Sequence, residues 1–474
     1  MRGEMSRTKW NCDRTETNRH SVSFGFLIPK GEHTMTKFTK ITAIAAPAIM
    51  ALAVASPSEA KILLMGDGGW EVSFDGLVNS FYSYMTTEEL TDADSAINAT
   101  HTGEDVDGQD TSRVIVGLLP SVWGMNIKAP TTNGLDMSAR LGLYPSNQNA
   151  RRKNTGGLGF GGGQGGAQMD VREIFMAVDG SFGKVLVGRT LSLYQGKNIL
   201  SDMTLFGVGW NAGDGAGGGT TLGRIGAGYV YPNFNNAIRY TTPSFNGLSA
   251  EVGIFDPSTI GGAAAVTKTP TPRVEAEIAY AGNVGDLSVS AWVNGMWQEA
   301  QRTAAELDTA CGLAVNGAHV NAAAAGCTVN TTIDVGGGAF GMTLGYGGLT
   351  LHGSGYVGKG LGMAVMLDND ATDAKGQTRP HHGYYAQGTY AFGQGTSFGV
   401  SYGESGADET HTDFLQRAGT TVQQDSVSLL DFMVWHDINK NLRIVAEYGI
   451  QEVEWHDGVD QDADIVSVGG FFFW

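Results

Sequence analysis

The sequence predicts an all-β chain: a transmembrane antiparallel β-barrel of about 16 strands, with short periplasmic turns at one rim and long surface loops at the other. Three observations carry that expectation. The chain ends on Phe471-Phe472-Phe473-Trp474, inside an alternating run that starts near Asp464. Fraying termini rarely keep a block of aromatics in water, whereas a closed barrel in lipid sets its last strand's aromatics in an interfacial girdle. Apolar residues recur with period two: Leu135, Met137, Ala139, Leu141 and Leu143 share one face, and Asp136, Ser138, Arg140, Gly142 and Tyr144 the other. That spacing is a strand with unlike faces, which also fits a soluble sandwich. Connection lengths decide between the two, because they swing strictly between short and long, as sandwich connections do not.

Taken in order, the first strand is 69–84, opening on Trp70. Strands 111–128 and 134–145 meet at a tight turn over 130–133, and 167–179 and 183–191 meet at 179–182. After a long connection, 234–243 and 246–256 join at Ser244-Phe245, and 272–283 and 285–298 join at Asn283-Val284. Gly347 links 333–346 to 348–358, Gln394 links 382–393 to 395–405, and 437–439 links 424–437 to 440–454. The run 464–474 closes the set, and its Phe472 and Trp474 are read as the C-terminal assembly signal. Gly, Asn, Asp and Pro at the tight connections supply turn geometry. The alternate connections (85–110, 146–167, 191–233, 257–271, 299–332, 359–381, 406–423 and 455–463) are long and polar. Both termini then lie on the short-turn side.

The other end of the chain sets the compartment. Residues 35–60 read as a secretory signal peptide: Lys37 and Lys40, an apolar run over 41–55, then Ser58-Glu59-Ala60. The run is shorter than the roughly twenty residues of a membrane-spanning helix. Residues 1–34 are polar and aperiodic and are read as a mis-assigned extension upstream of Met35, leaving 61–474 as one barrel domain. Removing residues 1–60 takes away eight Lys/Arg and five Asp/Glu and moves the net charge from −18 to −21. That acidity excludes a nucleic-acid partner, which needs a basic face. Cys311 and Cys327, the only cysteines after residue 60, share one alanine-rich stretch, and export would join them as a disulfide.

Several segments resemble the Gram-negative trimeric porins, and the likeness covers nearly all of 61–474. They are Trp70-Glu71-Val72-Ser73-Phe74-Asp75-Gly76, Gly183-Lys184-Val185-Leu186-Val187-Gly188-Arg189, Asn236–Pro243 with Phe245-Asn246-Gly247-Leu248, Val400–Ser405 and the terminal Trp474. The resemblance implies a general diffusion porin: a water-filled outer-membrane channel for passive diffusion of small hydrophilic solutes. It implies a homotrimer, export by periplasmic chaperones and the barrel assembly machinery, and a third surface loop folded into the pore. In that family wall arginines face loop carboxylates across the constriction. Here the loop is 191–233, with Lys197, Asp202, Asp214 and Arg224. Parity turns Arg140 and Arg239 inward, while Arg189, Arg113 and Arg172 match family positions in strands whose alternation is too weak to fix a direction. Arg140, Arg189, Arg224 and Arg239 against Asp202 and Asp214 would leave the constriction locally positive. Facing charges across a wet gap order water and dipolar solutes and penalise apolar ones.

Acidic clusters in the first loop (Glu88, Glu89, Asp92, Asp94, Glu104, Asp105, Asp107, Asp110), the sixth (Asp368, Asp370, Asp373) and the eighth (Glu452, Glu454, Asp457, Asp460, Asp462, Asp464) read as a solvated rim. The alternative is divalent cations bridging them to lipopolysaccharide. No HExxH or CxxC motif occurs in 61–474, so neither catalysis nor a cofactor is expected. A barrel-embedded hydrolase and a sugar- or anion-selective channel are the rival readings, the latter through an aromatic track of Tyr144, Trp292, Tyr356 and Tyr385.

Overall fold

The computed structural model describes residues 62–88, 100–101, 110–147, 169–210, 220–261, 266–303, 306, 331–373, 375–417 and 421–474. Its strands are β1 (Ile62–Asp67), β2 (Trp70–Thr87), β3 (Asp110–Ile115), β4 (Val122–Lys128), β5 (Asp136–Pro145), β6 (Met169–Gly180), β7 (Gly183–Leu191), β8 (Phe234–Thr241) and β9 (Leu248–Phe255). They continue as β10 (Arg273–Val284), β11 (Leu287–Gln301), β12 (Thr332–Tyr346), β13 (Leu349–Lys359), β14 (Pro380–Gly393), β15 (Thr396–Ala407), β16 (Gln424–Asn439), β17 (Leu442–Trp455) and β18 (Asp460–Phe473). From β4 onward each pairs antiparallel with the next, and β18 pairs with β2 from Leu77↔Phe473 to Thr87↔Ala463, so the sheet closes. The wall has 16 staves, because β3 and β4 lie end to end along one side of β2.

Strand β1 was not expected. It descends beside β2 with Ile62 opposite Phe74, just beyond the place where Trp474 bonds Gly76 in both directions at 3.0 Å. The arm and the last strand therefore share one stave. Tight hairpins carry the turn residues their backbone demands. Asn246 and Gly247 sit at φ 49° and 86°, and Asn133 and Gly134 at 55° and 73°, the paired left-handed geometry of a two-residue hairpin.

Alternation gives the barrel its two faces. On β18, Val466, Val468 and Phe472 are exposed on the outer wall, while Ile465, Ser467, Phe471 and Phe473 are buried inside. The terminal aromatics therefore divide. Trp474 packs outside with Phe74 and Trp123, ring centroids 6.1 and 5.8 Å away. Phe471 and Phe473 face inward and meet Phe206 of the third loop. Lipid selects apolar side chains on the outside, and the loop selects them on the inside. Among the described residues no helix is long and apolar enough to cross a membrane.

The core lies within the barrel rather than behind it. The third loop enters with helix α1 (Gly196–Ser201) and a 3-10 turn (Met203–Phe206), and packs Ile199, Met203, Leu205, Phe206 and Val208 against Leu77, Phe81, Met433, Val445 and Phe473 of the wall. A second inward loop departs from the expectation that 359–381 is an acidic outer rim. Its Leu361, Met366, Leu367 and Ala371 are buried against Trp292, Met296, Val335 and Tyr356. Tyr231 N bonds Ala364 O and Met366 N bonds Tyr231 O, so the two loops interlock. Burying these side chains at about 25 cal/mol per Å² of apolar surface is the main force holding both loops in place.

Candidate functional site: the barrel lumen

The third loop is anchored by wall side chains that accept from or donate to its backbone. Glu275 Oε2 accepts from Leu193 N and Tyr194 N at 2.8 and 3.0 Å. Tyr385 Oη donates to Asn198 O at 2.7 Å, and the Gln387 amide takes Met203 N and gives to Ser201 O. At the tip, Glu447 accepts from Val208 N and Gly209 N at 2.7 and 2.6 Å. Hydrogen bonds to a charged group contribute about 1.5–3 kcal/mol each, so this clamp outweighs any neutral contact in the loop.

Asp202 and Arg224, expected at the constriction, belong to these anchors instead. Asp202 is fully buried and caps the 3-10 turn: it accepts from Thr204 N at 2.9 Å, Thr204 Oγ1 at 2.6 Å and Tyr229 Oη at 2.9 Å. Burial, and then the Asp202 charge, pushes the Tyr229 hydroxyl well above its ordinary range, so it stays protonated and keeps donating. Arg224, also fully buried, donates to Leu429 O at 2.7 Å and to Ser401 Oγ. A short loop carboxylate is absorbed by the loop's own unpaired amides before it can reach across a gap.

Strands β2 and β4 to β10 carry the charges that solvent still reaches. Arg140 lies between two carboxylates, with Nη1 2.9 Å from Asp75 Oδ2 and Nε 2.7 Å from Glu173 Oε2, and Asn126 Oδ1 accepts at 2.8 Å. Tyr144 Oη donates to Glu173 at 2.7 Å. Arg239 holds Glu251 at 2.5 Å and Leu191 O at 2.9 Å. Lys197 of α1 reaches Glu277 at 3.3 Å. Side-chain exposures of 17% for Arg140, 33% for Asp75 and 31% for Lys197 leave these groups at the water boundary. The lumen thus sets Arg140 and Arg239 of the wall and Lys197 of the third loop against Asp75, Glu173, Glu251 and Glu277, a slight excess of carboxylate where an excess of arginine was expected.

Arg189 lies on the other face. It pairs across the sheet with Ile174, which is exposed on the outer wall, and its Nε donates to Val171 O at 3.0 Å. Paired residues share a face, so Arg189 leaves the wall on its outer side, although its charge still reaches Tyr231 of the third loop. Arg113 alternates with the exposed Val114 and is buried inside. Arg172 is drawn to Asp170 at 3.0 Å and lies over the Tyr144 and Phe234 rings. Asp214, Cys311, Cys327 and residues 1–60 lie outside the described residues, as do Glu89, Asp92, Asp94, Glu104, Asp105 and Asp107. Trp292, Tyr356, Tyr385 and Tyr144 are all buried under the inward loops, so they form no aromatic track.

The sixth-loop acids are likewise used internally. Asp368 accepts from Val365 N, Ala364 N and Asp370 N, and burial, followed by the nearby Asp370 charge, pushes its carboxyl up to about 6. Asp373 accepts from Lys375 N, Gln377 N and Thr410 Oγ1 at 2.8 Å each. Among the described residues no group of three His, Cys, Asp or Glu is placed to hold a metal ion. Asp75, Glu173, Glu251 and Glu447 were missed at sequence level, although Asp75 and Glu251 share the inward parity of Asn79 and Arg239, which period two alone would have supplied.

A family model described as Gram-negative porin matches residues 42–454. Among solved structures, the outer membrane channel DcaP of Acinetobacter baumannii is similar with a TM-score of 0.60 at 12% identity, over 87% of this chain and 100% of that one. An anion-selective porin from Comamonas acidovorans is similar with a TM-score of 0.52 at 16% identity, over 85% and 100%. At these identities the likeness is one of fold. Among curated proteins no sequence matches significantly.

Proposed function

The chain belongs to the Gram-negative porin family, and we propose that this outer-membrane channel passes small hydrophilic solutes by general diffusion, with a weak cation preference. The observation that carries the reading is the near-balanced set of lumen charges, Arg140 and Arg239 of the wall and Lys197 of the third loop with Asp75, Glu173, Glu251 and Glu277, beside a loop fixed by apolar packing. Alternating charge in a wet, narrow space orders water and suits polar solutes without selecting one of them. Family and fold point to a channel rather than an enzyme. A sugar-selective reading loses its support with the burial of Tyr144, Trp292, Tyr356 and Tyr385. Liposome swelling with neutral sugars of rising size tests the proposal. Rates should fall smoothly with size, and saturable uptake of one solute would replace diffusion by selective transport.

Self-association into a trimer is part of the proposal. It is supported by an apolar concavity of about 420 Å³ on the outer wall, where Met125, Ile127, Leu141, Ile174 and Met176 surround Ala139. Lipopolysaccharide contact through divalent cations is proposed for the outward acids of β17 and β18, where Glu452 faces Asp462 and Glu454 faces Asp460. Like charges directly opposite one another disfavour pairing unless a cation lies between them.

A further inference from the structure

Arg302 stands one residue beyond β11, on the inward parity of Gln298 and Ala300, at the mouth formed by the long loops. Its backbone N–H bonds Thr331 O at 2.9 Å, which fixes its position on the wall. The residue is 5% exposed. Among the described residues, Nη1 makes one long contact, 3.4 Å to Lys375 O, and Nε and Nη2 are buried with no hydrogen-bond partner. Those two atoms form one edge of the guanidinium, the edge that receives a carboxylate or phosphate bidentately. The neighbouring Arg379 uses the same edge: its Nε and Nη2 hold Asp413 Oδ2 and Oδ1 at 2.8 Å each.

The acids near Arg302 are already committed. Asp373 accepts from Lys375 N, Gln377 N and Thr410 Oγ1. Glu306 accepts from Thr303 N at 2.6 Å and from Thr267 Oγ1. Burial lowers the affinity of Arg302 for its proton, and Asp373 and Glu306 oppose that from a distance. A guanidinium does not deprotonate in a protein, so the buried charge must be compensated. Lys375 and Gly376 lie over the fork in a turn that Gly376 N closes to Asp373 O at 3.0 Å. Gly376 in that turn has φ +80°, and a Cβ there would come 2.8 Å from Nη2, so any side chain would crowd the fork.

We propose that Arg302 is the base of an oxyanion site at the extracellular mouth, taking a phosphate or carboxylate group bidentately beneath Lys375 and Gly376. Its location follows from the barrel and the loops alone, so it does not depend on whether or what the channel conducts. The probe is inorganic phosphate, titrated calorimetrically into the refolded, lipopolysaccharide-free protein in a chloride buffer. One saturable site is expected, abolished by Arg302→Gln and weakened at least tenfold by Arg302→Lys, which keeps the charge without the fork. If free phosphate fails to bind, the same two variants are compared for lipopolysaccharide retained through detergent washing of membrane-extracted protein, and a loss there assigns the site to the lipid phosphate. Heat-modifiable electrophoretic mobility confirms the barrel in each variant, and Arg302→Lys carries the test if Arg302→Gln does not fold. Wild type and the folded variants behaving alike in both measurements would overturn the proposal.

Discussion

Replacing Arg140 with Ser removes the cation shared by Asp75 and Glu173, which it now holds at 2.9 and 2.7 Å. The lumen then keeps Arg239 of the wall and Lys197 of the third loop against the same set of carboxylates. An ion passing about 7 Å away in bulk-like water feels about 0.6 kcal/mol from one unit charge. At 0.1 M salt a Debye length of about 10 Å reduces this to about 0.3 kcal/mol. A cation gains that amount and an anion loses it, so the cation-to-anion permeability ratio should rise about threefold. At 1 M salt the screening length is about 3 Å and the effect falls below about 0.1 kcal/mol. Reversal potentials across a planar bilayer in KCl gradients read the ratio directly. No movement at 0.1 M, or an equal movement at 1 M, would refute the reasoning: Arg140 would then be off the ion path or act by shape alone.

Other perturbations test the loops and the ends. Glu447→Gln cannot accept at both Val208 N and Gly209 N and should loosen the loop tip by a few kcal/mol, on the scale of about 1.5–3 kcal/mol per charged bond; faster amide exchange over 203–210 and a noisier open channel are the readouts. Asp368, held up to about 6, binds its proton more tightly in the folded loop than in the unfolded chain. The sixth loop should therefore be most secure below pH about 4 and lose about 3 kcal/mol as pH rises to about 6. Asp368→Asn should flatten that dependence in hydrogen exchange of 361–373. The lysine-flanked apolar run over 41–55 and the small residues at Ser58 and Ala60 predict a mature chain beginning at Lys61. Intact mass of outer-membrane material should show that start, and any peptide from 1–34 would contradict it. Cys311 and Cys327 should resist thiol labelling until reduced, and two free thiols would refute the bond.

Period two made most of the wall legible because lipid and lumen impose opposite demands on successive residues. Arg140 and Arg239 follow from it, since each alternates with outward apolar neighbours such as Met137 and Ile238. Arg189 was misplaced because Val185, Leu186 and Val187 are apolar on both faces, so resemblance rather than alternation assigned its direction. Loops have no period, and a loop filling a barrel resembles an outer loop until its apolar content is weighed. Leu361, Met363, Ala364, Val365, Met366 and Leu367 were such a signal within a segment noticed for its acids. Strand β1 went unassigned because Ile62–Asp67 falls between the end of the export signal at Ala60 and the first strand expected at 69, and its apolar residues show no period-two alternation. The inward carboxylates Asp75 and Glu251 were legible from the same alternation as Asn79 and Arg239.

Single-channel conductance against KCl concentration tests the central claim most directly, that a continuous water path runs between the packed loops and the charged wall of β2 and β4 to β10. Discrete openings whose conductance rises in proportion to salt from 0.1 M toward 1 M are the predicted result, because a water-filled pore conducts as its electrolyte does. Conductance that saturates at low salt would indicate a binding site in series with the path. The absence of openings from protein shown to be folded would mean that the two inward loops seal the barrel, contradicting the account.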